Sequence, residues 1–212
     1  MKKIYIIGAG GFGREVADTI HEINARAPEF RLEGFIDDDE ARWGEVQNGI
    51  PIAGGIDWLI GQARGGAEPL YAVVTVADPG VRKKIVGRLE GHVQWANIIS
   101  PLAHVTASAE MGEGNIMQHF SSLNSNARLG SHCIMNCNAI IGHDTVVGDY
   151  VSIMPAAGIM GECHIAEGAY FGLGAMVIQG KKVGENAVVG AGCINIKDVE
   201  ANTTVVGNPA RV

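Results

Sequence analysis

Large apolar residues recur at every sixth position from residue 99 to residue 189, without an exception. Four positions after each of them stands a small residue, apart from Asn115 and Lys181, and glycine directly follows the large residue seven times. This period fits neither the 3.6-residue turn of an α-helix nor the two-residue alternation of a β-strand. It is typical of hexapeptide β-helices, in which three six-residue sides close a triangular coil. The large positions are Ile99, Val105, Met111, Met117, Leu123, Leu129, Met135, Ile141, Val147, Ile153, Ile159, Ile165, Phe171, Val177, Val183 and Val189.

Each position of the hexad has a predicted place in the coil. The large residue fills the interior, the small residue sits at a corner, and glycine or asparagine supplies the unusual backbone angles of the turns. Lys181 stands at a position that is otherwise small. We therefore expect its side chain to swing to solvent or to mark a loosened coil.

Before the repeats, strands alternate with helices. Short apolar runs predict strands over residues 3–7, 32–36, 71–76 and 93–99, with helices over 14–27 and 81–89. This order predicts a small parallel sheet with helices packed on it, about half of a dinucleotide-binding fold. We expect an α/β half-Rossmann domain over residues 1–98 and a parallel β-helix with a C-terminal tail over residues 99–212.

The segment Gly8–Gly13 reads Gly-Ala-Gly-Gly-Phe-Gly and lies between the first strand and the first helix. Glycines at this place let backbone N–H groups approach a phosphate at the helix N-terminus. Asp37 and Asp38 follow the second strand, where an acidic residue accepts hydrogen bonds from sugar hydroxyls. A merely tight turn stays the alternative, and the missing second half of the fold disfavours NAD.

Composition narrows the class of protein. The chain carries 16 Lys and Arg against 23 Asp and Glu, a net charge of −7, which argues against a nucleic-acid binder. No apolar run is long enough to cross a bilayer, and the apolar start is too short for a signal peptide, so we expect a cytoplasmic protein without membrane insertion. Three of the four cysteines occupy small inward positions, and no Cys/His spacing indicates a metal site.

One polar pair interrupts the repeats in a chemically suggestive way. His143 follows Ile141 and Gly142 at an outward position near a corner, and Asp144 adjoins it. A histidine oriented by a carboxylate is a general base, suited to deprotonating an amine or a hydroxyl. A solvated turn residue is the alternative for any single histidine.

Three motifs together resemble the bacterial sugar O-acyltransferase family: the glycine loop with Phe35–Asp38, the repeat Gly142–Gly148, and the ending Val205–Ala210. That family includes sialic-acid O-acetyltransferases and N-acetyltransferases of nucleotide-linked amino sugars. The resemblance implies a left-handed β-helix, a homotrimer and acetyl-CoA bound between subunits. It further implies acetylation of the amino group of a nucleotide-activated amino sugar in surface glycan synthesis. Sugar O-acetylation, or a non-catalytic trimeric scaffold or nucleotide-sugar sensor, are the alternatives.

The resemblance also implies roles for particular residues. His143 would be the base, with Asp144 supporting it and no metal involved. Such enzymes carry a second histidine nine residues after the base, where this chain has Ser152, which leaves the oxyanion role there open. The acetyl-CoA site would include Ser152, Gly161, Leu173 and Ala191. The nucleotide-sugar site would include Gly10, Gly11, Phe12, Asp37, Asp38 and Ala77.

Overall fold

A computed structural model describes residues 1–211, and these fall into two compact units. The first unit consists of Met1–Val76 and Val81–Pro101. The second consists of Ala77–Gly80 and the chain from Leu102 onward. Among residues 1–211, no helix combines the length and the apolar character that crossing a membrane requires.

The first unit is built on a six-stranded sheet. Its strands are β1 (Lys2–Ile7), β2 (Phe30–Ile36), β3 (Val46–Gln47), β4 (Ile50–Gly54), β5 (Leu70–Val74) and β6 (Gln94–Trp95). They lie in the order β3-β4-β2-β1-β5-β6, and all neighbours are parallel except the β3–β4 hairpin. The helices are α1 (Gly11–Arg26), α2 (Ile56–Gly65) and α3 (Pro79–Leu89), with a 3₁₀ turn at Glu40–Arg42.

This unit confirms the predicted α/β class and differs from it in two places. The sequence did not anticipate β3, β4 and α2. The single strand predicted over residues 93–99 was wrong, because only Gln94 and Trp95 pair with β5 and a separate short strand, β7 (Ile98–Ile99), follows. Helix α1 places Val16 and Ile20 in the core at the four-residue spacing of one helix face, as its sequence predicts.

The second unit is a left-handed parallel β-helix of two-residue strands. Face I contains β10, β13, β16, β19, β22 and β24. Face II contains β8, β11, β14, β17, β20 and β23, and face III contains β9, β12, β15, β18 and β21. From β8 to β23, paired strands are one eighteen-residue coil apart, as Ile140 and Gly158 show, whereas β24 pairs with β22 at a separation of sixteen residues. The strands are β8 (His104–Val105), β9 (Glu110–Met111), β10 (Ile116–Met117), β11 (Ser122–Leu123), β12 (Arg128–Leu129), β13 (Ile134–Met135), β14 (Ile140–Ile141), β15 (Val146–Val147), β16 (Ser152–Ile153), β17 (Gly158–Ile159), β18 (His164–Ile165), β19 (Tyr170–Phe171), β20 (Met176–Val177), β21 (Lys182–Val183), β22 (Val188–Val189), β23 (Ile194–Asn195) and β24 (Thr204–Val205).

The interior of the β-helix matches the six-residue pattern. Every large position from Met117 to Val189 is buried. Asn115, which departs from the small pattern, is buried as well, and its amide bonds to the carbonyls of Gly112 and Gly130 and to the N–H of Cys133. Lys181 is half-buried, and its carbonyl accepts the regular ladder bond from His164 at 2.9 Å. The coil is therefore not loosened at Lys181.

The backbone angles at the corners confirm the predicted turn role for some glycines and correct it for those that directly follow a large residue. Positive φ angles occur at the third position after each large residue from Met111 to Val189, and both asparagine and glycine serve the turn there, as Asn126, Asn138 and Gly174 show. Gly142, directly after a large residue, has no such angle. Instead, a Cβ at Gly142 would lie 2.5 Å from the backbone N of Gly161 in the next coil. Glycine after the large residue thus supplies space between coils and not an unusual backbone angle.

Candidate active site

His143 and Asp144 lie at the corner between face II and face III, directly after β14. The Nδ1 atom of His143 lies 2.8 Å from Oδ2 of Asp144. Both side chains are open to solvent, with 63% and 50% of their surface exposed. The backbone of Asp144 has a φ of 54°, a conformation that aspartate tolerates better than most residues. The pair therefore forms an outward-facing histidine–carboxylate couple, as the sequence predicts.

The hydrogen bonds around Asp144 decide which histidine nitrogen carries the proton. The side-chain amide of Asn126 donates to Oδ1 of Asp144 at 2.9 Å. This bond, followed by the one from His143, lowers the pKa of Asp144 below its ordinary value. An ionised carboxylate only accepts hydrogen bonds, so Nδ1 of His143 must be the donor. The lone pair of Nε2 is left available for a proton.

A groove of about 690 Å³ opens beside this nitrogen. Gly161, one coil further on, lies under the imidazole, and a Cβ at Gly161 would stand 2.5 Å from Nε2. The predicted site residue Gly161 is therefore brought to His143 by the coil repeat, and its lack of a side chain keeps the ring's place free. The groove is lined by Asn124, Ser125, Ile140, Gly142, His143, Met160, Gly161 and Gln179.

Thr145, directly after Asp144, hydrogen-bonds this corner to the following coil. Thr145 occupies the small inward position, and its hydroxyl donates to the carbonyl of Met160 at 2.9 Å. The same hydroxyl accepts from the backbone N–H of Cys163 at 3.2 Å. Two hydrogen bonds to the following coil therefore hold the backbone next to the histidine pair.

The other residues predicted for acetyl-CoA lie elsewhere in the chain. Leu173 and Ala191 are both exposed and stand one coil apart at the corner between face I and face II, at the opposite end of the face II strands from His143. Ser152 lies on face I and is fully buried, and its hydroxyl donates to the carbonyl of Ala77 at 2.7 Å. A single chain therefore joins Gly161 to the histidine pair, but not Ser152, Leu173 or Ala191.

Ala77 forms part of a second groove within the same unit. The groove measures about 490 Å³ and is lined by Ala77, Asp78, Pro79, Gly80, Gly168, Tyr170, Asn186 and Val188. The carbonyl of Ala77 accepts a hydrogen bond from Ser152. Its predicted nucleotide-sugar contact stays a prediction.

In the first unit, the glycine loop leads into the N-terminus of α1. Gly10 is the N-cap and has no side chain with which to cap the first turn, which Gly11 and Phe12 open. A Cβ at Gly10 would meet no atom within 4 Å, whereas one at Gly13 would lie 2.1 Å from the carbonyl oxygen of Gly8. Gly13 therefore serves the packing of the loop, and Gly10 and Gly11 leave an open approach to the positive end of the helix dipole.

The two aspartates that follow β2 form hydrogen bonds and ion pairs with other residues of the first unit. Oδ2 of Asp37 accepts from Arg42 at 2.7 Å and from the N–H of Ala9 at 3.3 Å. Arg42 also donates to the carbonyl of Ala9 at 3.0 Å, which ties Asp37 to the glycine loop. The sequence reasoning missed Arg42, because no spacing rule links it to a loop 33 residues earlier.

Asp38 has a structural task in the same unit. Its Oδ1 accepts from the N–H of Ile56 at the start of α2 at 2.8 Å, and its Oδ2 pairs with Arg88 at 2.7 Å. Burial alone raises the pKa of Asp38, but these two partners outweigh that effect and lower it. Asp38 thus caps a helix. A sugar ligand would have to bind its carboxylate oxygens alongside these two partners.

Residues 1–211 contain no group of three or more His, Cys, Asp or Glu side chains placed to hold an ion. Fold and site together define a left-handed β-helix protein with an exposed histidine–carboxylate pair and an α/β unit bearing a glycine loop.

Comparisons with known proteins place this arrangement in a family. The family model described as the PglD N-terminal domain matches residues 3–89. GDP-perosamine N-acetyltransferase of Escherichia coli O157:H7 is 30% identical over 97% of this chain and 94% of its own. The chain therefore belongs to the hexapeptide-repeat sugar acetyltransferase family, which confirms the resemblance seen in the sequence.

Two solved structures extend the comparison. The acetyltransferase domain of PglB from Neisseria gonorrhoeae, in complex with acetyl coenzyme A, is 29% identical with a TM-score of 0.88, and the match covers 99% of this chain and 98% of that one. PerB from Caulobacter crescentus, in complex with CoA and GDP-perosamine, is 26% identical with a TM-score of 0.89, over 100% and 97% of the two chains.

Proposed function

We propose that this protein transfers the acetyl group of acetyl-CoA to the amino group of a nucleotide-activated amino sugar. The observation that carries the proposal is the His143–Asp144 pair, with Nε2 free beside a groove. The likeness over the whole chain to an N-acetyltransferase of a nucleotide-linked amino sugar supports the substrate class. We further propose that the protein works as a cytoplasmic homotrimer in surface glycan synthesis.

His143 acts as the general base in this proposal. The sugar amine attacks the thioester carbonyl, Nε2 of His143 takes a proton from the amine, and a C–N bond replaces the C–S bond. The CoA sulfur leaves with the electron pair of the broken bond and is protonated to the thiol. Asp144 keeps the proton on Nδ1 and stabilises the imidazolium that forms. Both substrates are bound together, so no acyl-enzyme is required.

The groove at His143 offers apolar contacts and space for an acetyl thioester. Ile140 and Met160 give it apolar walls, and Gly161 leaves room where a Cβ would press on the imidazole. Leu173 and Ala191, which are exposed, would extend the acetyl-CoA site from a neighbouring subunit, because one chain alone does not bring them to His143. Ser152 is fully buried in its own chain, which disfavours its predicted contact with acetyl-CoA. The hydroxyl of Ser152 is used by Ala77, which disfavours it as an oxyanion donor.

The first unit would hold the nucleotide. The uncapped first turn of α1, with Gly10, Gly11 and Phe12, suits a diphosphate. Asp37 and Asp38 would stiffen the neighbouring loops through their own partners, and their contact with a sugar or ribose remains a proposal. Ala77 would contribute its backbone near the nucleotide.

The test is acetyl transfer to a panel of UDP-, GDP- and CMP-linked amino sugars, followed by thiol release and by mass spectrometry of the product. We expect one nucleotide class to be acetylated and the product to resist hydroxylamine, which cleaves O-acetyl esters and leaves amides intact. A hydroxylamine-labile product would establish sugar O-acetylation instead. Binding of a nucleotide-sugar without turnover would establish a scaffold or sensor.

A further inference from the structure

A ladder of side chains runs along the corner that carries His143. Ser108, Asn126 and Asp144 follow one another at eighteen-residue steps, one per coil. The backbone N–H of Asn126 donates to Oγ of Ser108 at 3.1 Å, and the side-chain amide of Asn126 donates to Oδ1 of Asp144 at 2.9 Å. The ladder therefore ends on the carboxylate that holds the histidine.

The two oxygens of Asp144 have different partners. Oδ1 accepts from Asn126, and Oδ2 accepts from Nδ1 of His143 at 2.8 Å. A carboxylate bonded through one oxygen can rotate about its terminal bond, because that torsion is broad. A second hydrogen bond to the other oxygen fixes the carboxylate plane, and with it the direction of the bond to the imidazole.

We propose that Asn126 is a positioning residue for His143 and acts through Asp144. Its amide keeps the carboxylate oriented and ionised, so that His143 presents the unprotonated Nε2 to the groove. The inference rests on the proposed function, since it assigns Asn126 a part in the work of that base. The lowered pKa of Asp144, to which Asn126 contributes most, agrees with this role.

The backbone alone does not explain an asparagine at this position. Asn126 has a φ of 59°, but the equivalent corner positions accept Phe120, Tyr150 and Ala156 at nearly the same angle. Asn138 has the same φ of 59° at another corner. Among the described residues, the side chain of Asn138 has no hydrogen-bond or ion-pair partner. Asn126 and Asn138 thus share a backbone conformation and differ in what their amides do.

The experiment compares Asn126→Gly with Asn138→Gly, since glycine keeps the left-handed angle in both. The ¹⁵N spectrum of the histidine rings, recorded without substrate, reports the tautomer of His143. We expect Asn126→Gly to reduce the Nδ1–H tautomer and to lower kcat by about 3- to 10-fold, the size expected for one lost hydrogen bond. Asn138→Gly should leave both quantities unchanged, and thermal unfolding of both variants shows separately how much each substitution changes stability.

A second variant covers the case in which glycine disturbs the fold. Asn126→Asp keeps the shape and tolerates the same φ, but it cannot donate to Asp144 and adds a like charge. It should lower kcat more than glycine does. An unchanged tautomer in Asn126→Gly, or an unchanged kcat in either variant, overturns the inference. If the wild type transfers no acetyl group, the proposed function fails, and the tautomer measurement still decides whether Asn126 controls His143.

Discussion

The β-helix and the α/β unit encode their functional geometry in different ways. In the β-helix, residues eighteen positions apart are neighbours, so Asn126, Asp144 and the Gly161 beneath His143 are related by a fixed count along the chain. In the α/β unit, Asp38 bonds to Ile56 and Arg88, which lie 18 and 50 residues further along the chain. This unit has no sequence repeat, so neither separation could be expected from a period. The periodic unit can therefore be read from local sequence, and the α/β unit requires its tertiary structure.

The chain provides separate probes for the two units. All three tryptophans (Trp43, Trp58 and Trp95) lie in the first unit, and all four cysteines lie in the β-helix. Burial raises the pKa of the Cys163 and Cys193 thiols, so they react slowly until their coils open. Tryptophan fluorescence and thiol labelling thus follow the unfolding of different parts of the molecule.

The largest effect is expected from Gly142→Ala in the β-helix. The new Cβ would lie 2.5 Å from the N of Gly161 and 2.6 Å from the carbonyl carbon of Met160, and backbone at that distance must move. We expect a loss of about 3 kcal/mol in the free energy of unfolding, at the upper end for overpacking. The loss should appear in thiol labelling under denaturant and should leave the tryptophan transition in place.

The matched control for that substitution lies in the other unit. Gly10→Ala adds a Cβ with no atom within 4 Å, so stability should change by less than about 0.5 kcal/mol. Its effect should instead appear as a higher KM for the nucleotide-sugar, because the added methyl obstructs the approach to α1. Equal stability losses for Gly142→Ala and Gly10→Ala would contradict the view that Gly142 leaves space between two coils whereas Gly10 lies in an open loop.

A smaller effect is expected from Asp38→Ala, which removes the cap of α2 and one of the two carboxylates that pair with Arg88. At pH 7 the variant should lose about 1 kcal/mol, a typical value for a helix cap, in the tryptophan transition alone. Because the pKa of Asp38 is lower in the folded state, its contribution is present above the unfolded pKa and disappears as the pH falls through the folded pKa.

Unfolding of wild type and Asp38→Ala, measured between pH 7 and pH 3, checks the sign of this dependence. The difference between the two proteins should be constant above pH 5 and should shrink below about pH 4. A difference that grows on acidification would contradict the assigned role of the ionised carboxylate.

The sequence predicted the β-helix better than the α/β unit for a physical reason. Burial at every sixth position is dictated by the coil, so residues 117–189 needed no tertiary information. Residues 46–65 form a hairpin and a helix whose capping group, Asp38, lies far earlier in the chain, and no local pattern indicates it. The eighteen-residue coil could have identified Asn126 as the neighbour of Asp144, but only a structure shows that its amide faces the carboxylate.

We propose above that the β-helix corner at His143 catalyses acetyl transfer and that the α/β unit binds the nucleotide. The most direct measurement is kcat of His143→Ala together with the nucleotide-sugar Kd by calorimetry, beside His164→Ala as a control on an exposed histidine of face III. We predict a loss in kcat of at least roughly 10²-fold, typical of a removed general base, with Kd unchanged and the control fully active. A kcat within a few-fold of wild type, or an equal loss in His164→Ala, would contradict it.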